Sequence, residues 1–291
     1  MDTIGPVADL LAARAASRTA LGAARLRAVH LLLDDPPPVF EDPLALRLLG
    51  PGARRAIREH SDRFRTPASL AIRCDVVVRS RYAEDRLAEA VRRGLRQYVI
   101  LGAGLDTFAY RQPAWADDLQ IVEVDHAASQ ADKRDRLQLA GMEPPPNLRY
   151  AAADLEANSL ASALAMAGLD TTKPAFVACL GVLIYLSEGA ADAIFAMAAS
   201  LAAGSEFAFT FSRPDVPTHP PMPRSAAARM AAIGEPWRTR FDPEALVARL
   251  KSAGFSSIRF LFAEDITERY LSGRNDGLRA PSRVVLTDAT V

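Results

Sequence analysis

Glycines and a carboxylate stand at the ends of two successive apolar runs, where together they could bind a nucleoside. Gly102 and Gly104 follow the apolar run 97–101 directly. Because glycine has no Cβ, the backbone at such positions can turn sharply and approach a ligand closely. Asp125 ends the next apolar run, which begins at Ile121, and an acidic residue there can hold a pair of ribose hydroxyls. The two runs therefore predict a nucleoside-containing cofactor at the carboxyl ends of neighbouring strands.

The spacing of the glycines distinguishes two classes of cofactor. A dinucleotide site requires the pattern Gly-x-Gly-x-x-Gly, in which the third glycine lets the helix pack closely on the strand and the helix N-terminus binds pyrophosphate. Thr107 stands at that third position here. S-adenosylmethionine has no pyrophosphate and needs only the open turn and a carboxylate for its ribose, so the loop favours S-adenosylmethionine over NAD. The alternative is an ordinary tight turn in an α/β domain.

Arg79 is a candidate ligand for an anionic group of that cofactor. It lies in the predicted helix 68–94, on the same face as Val76 and Ala83, and this helix leads into the strand before the glycines. A cation on an apolar stripe is costly to bury without a partner, and a guanidinium can form two hydrogen bonds with a carboxylate. Arg79 could therefore bind the carboxylate of an amino-acid moiety. The alternatives are an arginine that reaches solvent, an internal ion pair, or the same role for Arg81.

Hydrophobic periodicity predicts the elements that position these residues. Helices are predicted at 5–33, from Pro43 after the N-cap Asp42, at 68–94, at 127–140, from Ser187 to Ala203 and from Asp242 to Ala253. Strands are predicted at 97–101, 121–125, 149–152, 175–180, 206–211, 258–262 and 283–287. Strands that alternate with helices form a mostly parallel sheet covered on both faces, so the predicted fold class is α/β. The proline-rich segment 213–223 is predicted to be irregular, and an inserted helix is predicted at 224–233.

Composition and charge argue against several classes of protein. The chain has 291 residues, a formal net charge of zero and no basic block, so nothing indicates a nucleic-acid-binding surface. Its two cysteines, Cys74 and Cys179, are far apart and lack metal-ligand spacing, which argues against a zinc site and a disulfide framework. Neither a signal peptide nor an apolar run of membrane-spanning length is visible. We therefore expect a cytoplasmic monomer or homodimer without metal, nucleic-acid or membrane partners.

Short motifs from about residue 15 to residue 290 are similar to those of one protein family. The motifs are Phe40-Glu41-Asp42-Pro43-Leu44-Ala45, Arg79-Ser80-Arg81-Tyr82, Leu101-Gly102-Ala103-Gly104-Leu105-Asp106-Thr107 with Tyr110-Arg111, Glu123-Val124-Asp125, Asp154-Leu155, Gly181-Val182-Leu183-Ile184-Tyr185-Leu186 and Gly234-Glu235-Pro236-Trp237. The glycine-loop motif with its Tyr-Arg tail is the most specific of them. The chain resembles the leucine carboxyl methyltransferase family, and within it the bacterial branch that includes polyketide O-methyltransferases.

The resemblance implies a class I methyltransferase with a Rossmann-like fold. Its seven-stranded, mostly parallel sheet would contain one antiparallel strand, at 283–287. The implied division of the chain is an N-terminal helical cap over residues 1–95 and an S-adenosylmethionine-binding core over residues 96–291. A second cap segment would be inserted in the core at about residues 213–240.

The resemblance also assigns residues to the parts of S-adenosylmethionine. Arg79 would hold the carboxylate, and the two glycines of the loop would line the methionine moiety. Asp125 would bind the ribose, and Asp154 and Leu155 would contact the adenine. All of these assignments are carried by motifs of this chain that match the family.

One position departs from the family pattern. Leu180 stands where many members carry a glutamate that faces the methionine end of the cofactor. This departure argues against the phosphatase tail that eukaryotic members methylate, and it favours a small-molecule substrate. The predicted function is S-adenosylmethionine-dependent O-methylation of a carboxylate or hydroxyl of a small molecule, in bacterial natural-product biosynthesis such as that of polyketides. The alternatives are a protein carboxyl methyltransferase, an S-adenosylmethionine-binding scaffold without transfer activity and, from another enzyme class, a nicotinamide-dependent oxidoreductase.

The residues around the methyl acceptor are marked less clearly. Methyl transfer mainly requires that acceptor and methyl group be positioned and that water be excluded. A carboxylate is already ionised near neutral pH, whereas a phenol would benefit from a general base. Tyr185 and His219 are the candidate catalytic residues, and Tyr185, Trp237 and Arg238 are candidates for the substrate pocket. Packing under the cap is the alternative for Tyr185 and Trp237, and His126 is expected to belong to the cofactor turn.

Overall fold

A seven-stranded sheet forms the centre of the protein in the computed structural model, which describes residues 17–157, 160–214, 228, 231–232 and 234–291. The strands are β1 (Gln97–Leu101), β2 (Gln120–Asp125), β3 (Leu148–Ala152), β4 (Phe176–Cys179), β5 (Glu206–Ser212), β6 (Ser257–Leu261) and β7 (Val284–Thr290). Their order across the sheet is β3-β2-β1-β4-β5-β7-β6. Strands β1 to β5 are parallel, and β7 is antiparallel to both β5 and β6. The predicted α/β fold with a seven-stranded, mostly parallel sheet is confirmed.

Helices precede the sheet in the chain and connect its strands. They are α1 (Arg18–Leu33), α2 (Pro43–Leu48), α3 (Ala53–Glu59), α4 (Ser61–Phe64), α5 (Pro67–Arg92), α6 (Ala127–Leu139), α7 (Leu160–Met166), α8 (Glu188–Ala199), α9 (Pro243–Ala253) and α10 (Ala263–Ile266). Short 3₁₀ turns lie at Phe108–Tyr110, Ala114–Ala116 and Leu183–Tyr185, and a π-helical turn lies at Thr267–Leu271. The prediction has no counterpart of α3, α4, α7 and α10. Charged side chains interrupt the apolar periodicity at α3 and α4.

The central strand β1 shows why the sheet has a hydrophobic core on each face. Val99 and Leu101 pack into one core, together with Phe195 of α8. Tyr98 and Ile100 pack into the other core, together with residues of α5. Successive side chains of a strand point to opposite faces. A continuous apolar run such as that of β1 is therefore buried on both sides, as parallel sheets require.

Most predicted elements differ from the observed ones by a few residues at their ends. The first predicted helix is described only from Arg18 onward, and residues 5–16 lie outside the described residues. Helix α8 ends at Ala199 and not at Ala203. Strand β7 continues to Thr290, because it pairs with β5 along its whole length.

The inserted segment is described only in part. The proline-rich stretch is described at residues 213–214 and the predicted inserted helix at 228 and 231–232. Within the described ranges, no helix is both long and apolar enough to cross a membrane. The same ranges contain no group of three His, Cys, Asp or Glu side chains placed to hold a metal ion.

Polar contacts fix α5, the helix that carries Arg79, between the first helices and the sheet. Arg73 of α5 forms two hydrogen bonds with the carboxylate of Asp34, at 2.6 and 2.7 Å, just after α1. The hydroxyl of Tyr82, further along α5, donates to Asp288 of β7. These buried contacts define where α5 lies relative to the strand ends. The division into a cap over 1–95 and a core over 96–291 stays a prediction.

Candidate functional site

A cavity of about 290 Å³ opens at the carboxyl ends of β1, β2 and β4. Its wall includes Tyr185 and all six residues predicted to bind a cofactor, which are Arg79, Gly102, Gly104, Asp125, Asp154 and Leu155. The carboxyl ends of parallel strands share one edge of a sheet, and ligands of open α/β sheets bind at that edge. The fold thus brings together residues from α5, from three strand ends and from the turn after β4.

Positive φ angles make glycine necessary at both ends of the loop after β1. Gly102 has a φ of 64° and Gly104 a φ of 48°, in the left-handed region that side chains disfavour. A methyl group on Gly102 would overlap the side chain of Val182, and one on Gly104 would lie 2.9 Å from the Cβ of Ala20 in α1. The loop therefore lies between the turn after β4 and helix α1, with room for backbone only.

Asp125 holds this loop in addition to facing the cavity. Its Oδ2 accepts a hydrogen bond from the backbone N–H of Gly104 at 2.6 Å, and its Oδ1 accepts one from the N–H of His126 at 2.7 Å. An ionised carboxylate can accept about four hydrogen bonds. Asp125 is half-buried at the cavity, so it fixes the glycine turn and has lone pairs left for the predicted bonds to ribose hydroxyls.

The guanidinium of Arg79 lies face-on against the backbone of Gly181. A methyl group on Gly181 would stand 2.6 Å from Cζ and from both Nη atoms of Arg79, and Gly181 has a φ of 69°. Nη1 of Arg79 also donates to Oδ2 of Asp75 at 3.0 Å. Burial raises the pKa of Asp75, and Arg79 opposes this. Arg79 therefore lines the cavity and forms an internal ion pair at the same time.

A buried ion pair behind the loop connects it to the first helices. Arg27 of α1 donates to Oδ2 of Asp42 at 2.7 Å and to the backbone carbonyl of Leu105 at 2.5 Å. Burial alone would raise the pKa of Asp42, but the guanidinium groups of Arg27 and Arg111 outweigh burial and hold the pKa below its usual range. Arg27 therefore links a charged N-cap, that of α2, directly to the glycine loop.

Thr107, at the third position of the glycine pattern, has a structural role. Its side chain is buried, and its Oγ1 accepts a hydrogen bond from Nε of Arg111 at 2.9 Å. Arg111 also donates to Glu84 of α5 at 3.0 Å. A glycine at position 107 could not make this contact. The departure from the dinucleotide pattern thus attaches the end of the loop to α5.

Three polar residues from separate parts of the chain, Thr19, Tyr185 and Glu235, line the same cavity. Tyr185 ends the 3₁₀ turn after β4, and burial raises its pKa, so its hydroxyl stays protonated at neutral pH. Glu235 comes from the segment that follows the inserted region, and its Oε2 accepts a hydrogen bond from the backbone N–H of Thr19 at 3.1 Å. All three residues line the cavity. The bond between Glu235 and Thr19 joins the inserted segment to the first turn of α1.

The other predicted acceptor residues have different positions. Trp237 is half-buried but absent from the described lining of the cavity. Arg238 is exposed, and its Nη1 donates to Glu156 at 3.1 Å, which directs the guanidinium to that carboxylate and away from the described lining. His126 does line the cavity and directly follows the ribose-site carboxylate, as expected for a residue of the cofactor turn. His219 lies outside the described residues.

A larger surface groove of about 590 Å³ lies elsewhere on the molecule. Its arginines have partners, since Arg81 donates to Asp85 at 2.8 Å and Arg274 to the carbonyl of Pro37 at 2.6 Å. The groove contains neither the glycine loop after β1 nor the carboxyl end of a parallel strand among its described lining residues. We therefore take the smaller cavity as the candidate active site.

A protein-family model matches the part of the chain that forms most of this site. The model of leucine carboxyl methyltransferase matches residues 20–199, a range that contains the glycine loop, Asp125 and the turn after β4. The chain belongs to the leucine carboxyl methyltransferase family. Similar proteins that are named as methyltransferases support a methyl-transfer role for this family member. A Bacillus subtilis protein, YktD, named as an S-adenosyl-L-methionine-dependent methyltransferase, is 32% identical over 208 residues, which is 70% of this chain and 68% of the relative.

A second relative and two solved structures extend the comparison. A Mycolicibacterium paratuberculosis protein, also named as an S-adenosyl-L-methionine-dependent methyltransferase, is 34% identical over 249 residues, 81% of this chain and 74% of the relative. A methyltransferase structure from Thermobifida fusca has a TM-score of 0.57 at 18% identity and covers 99% of both chains. A DUF574 family protein from Streptomyces avermitilis has a TM-score of 0.55 at 17% identity, covering 91% of this chain and 96% of that one. The two solved structures share the fold of this chain. The family and the named relatives identify the chain as an S-adenosylmethionine-dependent methyltransferase.

The residues present fit S-adenosylmethionine, which supplies an electrophilic methyl group on a sulfonium sulfur when bound. Gly102 lets the side chain of Val182 pack against the loop, and Gly181 lets the guanidinium of Arg79 lie against the backbone at the cavity. Arg79 offers a planar donor for the carboxylate, and Asp125 offers acceptors for the ribose hydroxyls. Asp154 lines the cavity after β3, where the family resemblance places the adenine. In this leucine carboxyl methyltransferase family member the protein's part is to orient these groups and exclude water.

Sequence reasoning left three functional contacts of this site unseen. Gly181 and Glu235 both stand in motifs that match the leucine carboxyl methyltransferase family, but nothing local indicates that one supports Arg79 and the other closes onto α1. Arg27 is one of three arginines in α1 and is marked by no motif. For Gly181 and Glu235, the available signal was that their motifs had no assigned role. For Arg27, it was a charge on an otherwise apolar helical face.

Proposed function

We propose that this methyltransferase transfers the methyl group of S-adenosylmethionine to an oxygen atom, a carboxylate or hydroxyl, of a small molecule in bacterial natural-product biosynthesis. The observation that carries the proposal is the wall of the cavity next to the residues assigned to the cofactor. Leu180, which stands where many family members carry a glutamate, and the hydroxyl-bearing Tyr185 both line this cavity. Such a mixed apolar and polar wall suits a small organic acceptor.

Direct transfer is the test of this function. The protein is incubated with methyl-labelled S-adenosylmethionine and a panel of aromatic and aliphatic acids, phenols and polyketide-like hydroxyl compounds, and mass spectrometry follows labelled products and the demethylated cofactor. We expect label on an oxygen of at least one small molecule. A Gly102→Val variant is the inactive control, because its side chain would overlap Val182 and close the cofactor loop.

Two other functions remain as alternatives within the same experiment. Label on the carboxyl terminus of added proteins, with none on small molecules, would indicate a protein carboxyl methyltransferase. Tight binding of S-adenosylmethionine without label on any acceptor would indicate a binding scaffold.

The proposal also includes a cytoplasmic monomer or homodimer. Cell fractionation tests the location, and light scattering of the purified protein tests the oligomeric state.

A further inference from the structure

Glu235 lines the cavity without an assigned role in cofactor binding, and its contact with α1 does not by itself explain why a carboxylate stands there. It belongs to the motif Gly234-Glu235-Pro236-Trp237, is half-buried and lines the cavity together with Tyr185. One carboxylate oxygen, Oε2, accepts the hydrogen bond from the backbone of Thr19. A carboxylate can accept further hydrogen bonds in addition to this one. Glu235 therefore presents a negative charge and an acceptor to the cavity.

The cations of the cavity have other partners. Among the described lining residues, the basic side chains are Arg27, Arg79 and His126. Arg27 binds Asp42 and the glycine loop, as described above. Arg79 binds Asp75 and is the predicted partner of the cofactor carboxylate. His126 directly follows the ribose-site candidate Asp125, and its Nδ1 accepts a hydrogen bond from the N–H of Ala128 at 3.3 Å. Within the described lining, both arginines are therefore engaged and His126 belongs to the cofactor turn, so none of the three is assigned to an acceptor's carboxylate beside Glu235.

This charge arrangement distinguishes the two classes of oxygen acceptor. A carboxylate acceptor would bring a second negative charge next to Glu235, and like charges disfavour each other in a partly buried site. A neutral hydroxyl meets no such repulsion and can donate a hydrogen bond to Glu235. Since burial keeps Tyr185 protonated, Glu235 is the group of this wall that can take up a proton.

We propose that Glu235 selects a hydroxyl acceptor, such as a phenol, and removes its proton during methyl transfer. The inference rests on the proposed O-methyltransferase function and narrows its substrate class. The acceptor O–H bond breaks and its proton passes to the Glu235 carboxylate, while an oxygen lone pair forms the bond to the methyl carbon. The methyl–sulfur bond breaks, and its electron pair stays on sulfur, which loses its positive charge. The products are a methyl ether, the demethylated cofactor and protonated Glu235.

Three variants separate this role from a structural one. Glu235→Gln removes the charge but keeps a side-chain oxygen that can accept the bond from Thr19, whereas Glu235→Ala removes both. Glu244→Gln is the matched control, because Glu244 is exposed in the first turn of α9. The probes are phenols, naphthols and hydroxylated benzenes, each with its matched carboxylic acid. The measurements are kcat for methyl transfer, affinity of each probe for the protein saturated with demethylated cofactor, and S-adenosylmethionine affinity.

We expect transfer to at least one phenolic probe and none to its matched acid. Glu235→Gln should lower kcat by about 100-fold or more, the usual scale of a lost general base, and bind the acids more tightly than the wild type does. Its S-adenosylmethionine affinity should stay within about threefold of the wild type, a difference below one kcal/mol. Glu244→Gln should match the wild type in every measurement.

Several outcomes would overturn the inference. They are preferred transfer to the acids, full phenol turnover by Glu235→Gln, and no transfer to any hydroxyl probe by a protein that binds S-adenosylmethionine. If instead the wild-type protein binds no S-adenosylmethionine, the proposed function itself fails, which is a different result. Loss of turnover in Glu235→Ala alone, with Glu235→Gln fully active, would assign Glu235 only to closing the cavity.

Discussion

The position of the Arg79 guanidinium depends on Gly181, a residue without a side chain. Its guanidinium face lies against Gly181, and its edge donates to Asp75. These contacts leave the remaining N–H groups of the fork available to a ligand in the cavity. The position of the Arg79 guanidinium is therefore determined by the backbone of Gly181 and by Asp75, one turn earlier in α5.

Gly181→Ala should weaken S-adenosylmethionine binding by about tenfold or more, equivalent to about 1.4 kcal/mol. The new methyl group would stand 2.6 Å from the guanidinium of Arg79, and the alanine would also need a φ of 69°. Calorimetric titration with S-adenosylmethionine measures the effect. Gly189→Ala is the control, since a Cβ there meets nothing within 4 Å in α8. Equal affinities of the two variants would contradict the assigned position of Arg79.

Arg79→Lys and Arg79→Ala should both lower S-adenosylmethionine affinity by about 1.5–3 kcal/mol, the range for a hydrogen bond to a charged group. Lysine keeps the charge but lacks the planar fork that meets both carboxylate oxygens. Thermal melting should separate the variants, because lysine still provides a cation near Asp75 and alanine does not. Arg81→Ala should bind normally, since Arg81 pairs with Asp85 outside the cavity. A sensitive Arg81 with a tolerant Arg79 would reverse the assignment.

Asp125→Ala should weaken S-adenosylmethionine binding by about 1.5–3 kcal/mol, as expected for lost hydrogen bonds to a charged group. Asp125→Asn keeps one side-chain oxygen that can still accept from the N–H of Gly104, so it should retain more thermal stability than alanine does. Titration calorimetry and melting curves of both variants test this. Unchanged affinity in a folded Asp125→Ala protein would remove Asp125 from the ribose site.

At the scale of elements, the glycine loop is held by charges that come from the helices before it. Arg27 of α1 joins the N-cap of α2 to the carbonyl of Leu105, and Arg111 joins the loop's end to α5. Breaking a buried pair leaves an uncompensated charge, which is more costly than losing a surface pair. The first helices therefore stabilise the loop electrostatically as well as by packing.

Asp42→Asn should lower the free energy of unfolding by about 3 kcal/mol at pH 7, because it leaves Arg27 buried without a counter-ion. Asparagine remains a good N-cap, so the loss reports the ion pair. The folded-state pKa of Asp42 lies below its ordinary value of 3.8. The pair therefore stabilises the protein at pH values above about 4, and this contribution disappears as the pH falls through the folded-state pKa.

Urea unfolding at pH 7 and at successively lower pH measures this difference between Asp42→Asn and the wild type. The difference should shrink as the solution becomes acidic. Asp62→Asn, at an exposed position of α4, should show little change at any pH. A pH-independent difference would mean that Asp42 acts only as a helix cap.

At the scale of the whole molecule, the cavity connects elements that are distant in the chain. Helix α1, helix α5, the ends of β1 and β2, the turn after β4 and the segment before α9 all contribute to its wall. A ligand that touches all of them binds the folded chain and not the unfolded one. Binding of such a ligand therefore raises the free energy of unfolding.

S-adenosylmethionine at one hundred times its dissociation constant should stabilise the protein by about 2.7 kcal/mol and raise the melting temperature by several degrees. NAD should have no effect, because Thr107 ties the loop to Arg111 where a dinucleotide site requires glycine. Thermal unfolding with each compound tests both statements. A shift with NAD and none with S-adenosylmethionine would contradict the cofactor.

The sequence alone predicts all seven strands, the longer helices and the chemistry of the cofactor edge. Apolar runs that end in Gly102 and Asp125 predict strands and a nucleoside site, because strand formation and glycine turns depend on residues a few positions apart. Family motifs extended this to S-adenosylmethionine. The roles of Arg79 and Asp125 remained predictions, since several local arrangements satisfy the same pattern.

Only the tertiary structure decided which motifs meet. The contact of Arg79 with Gly181 and the bond of Glu235 to Thr19 join residues that are far apart in the chain. Each depends on how helices pack on the sheet, and packing is set by the shapes of many side chains at once. Arg238 shows the same limit, because its position next to the Gly234–Trp237 motif suggested the pocket, whereas in the fold its guanidinium pairs with Glu156. Local periodicity carries no information about such partners, so they follow from the fold alone.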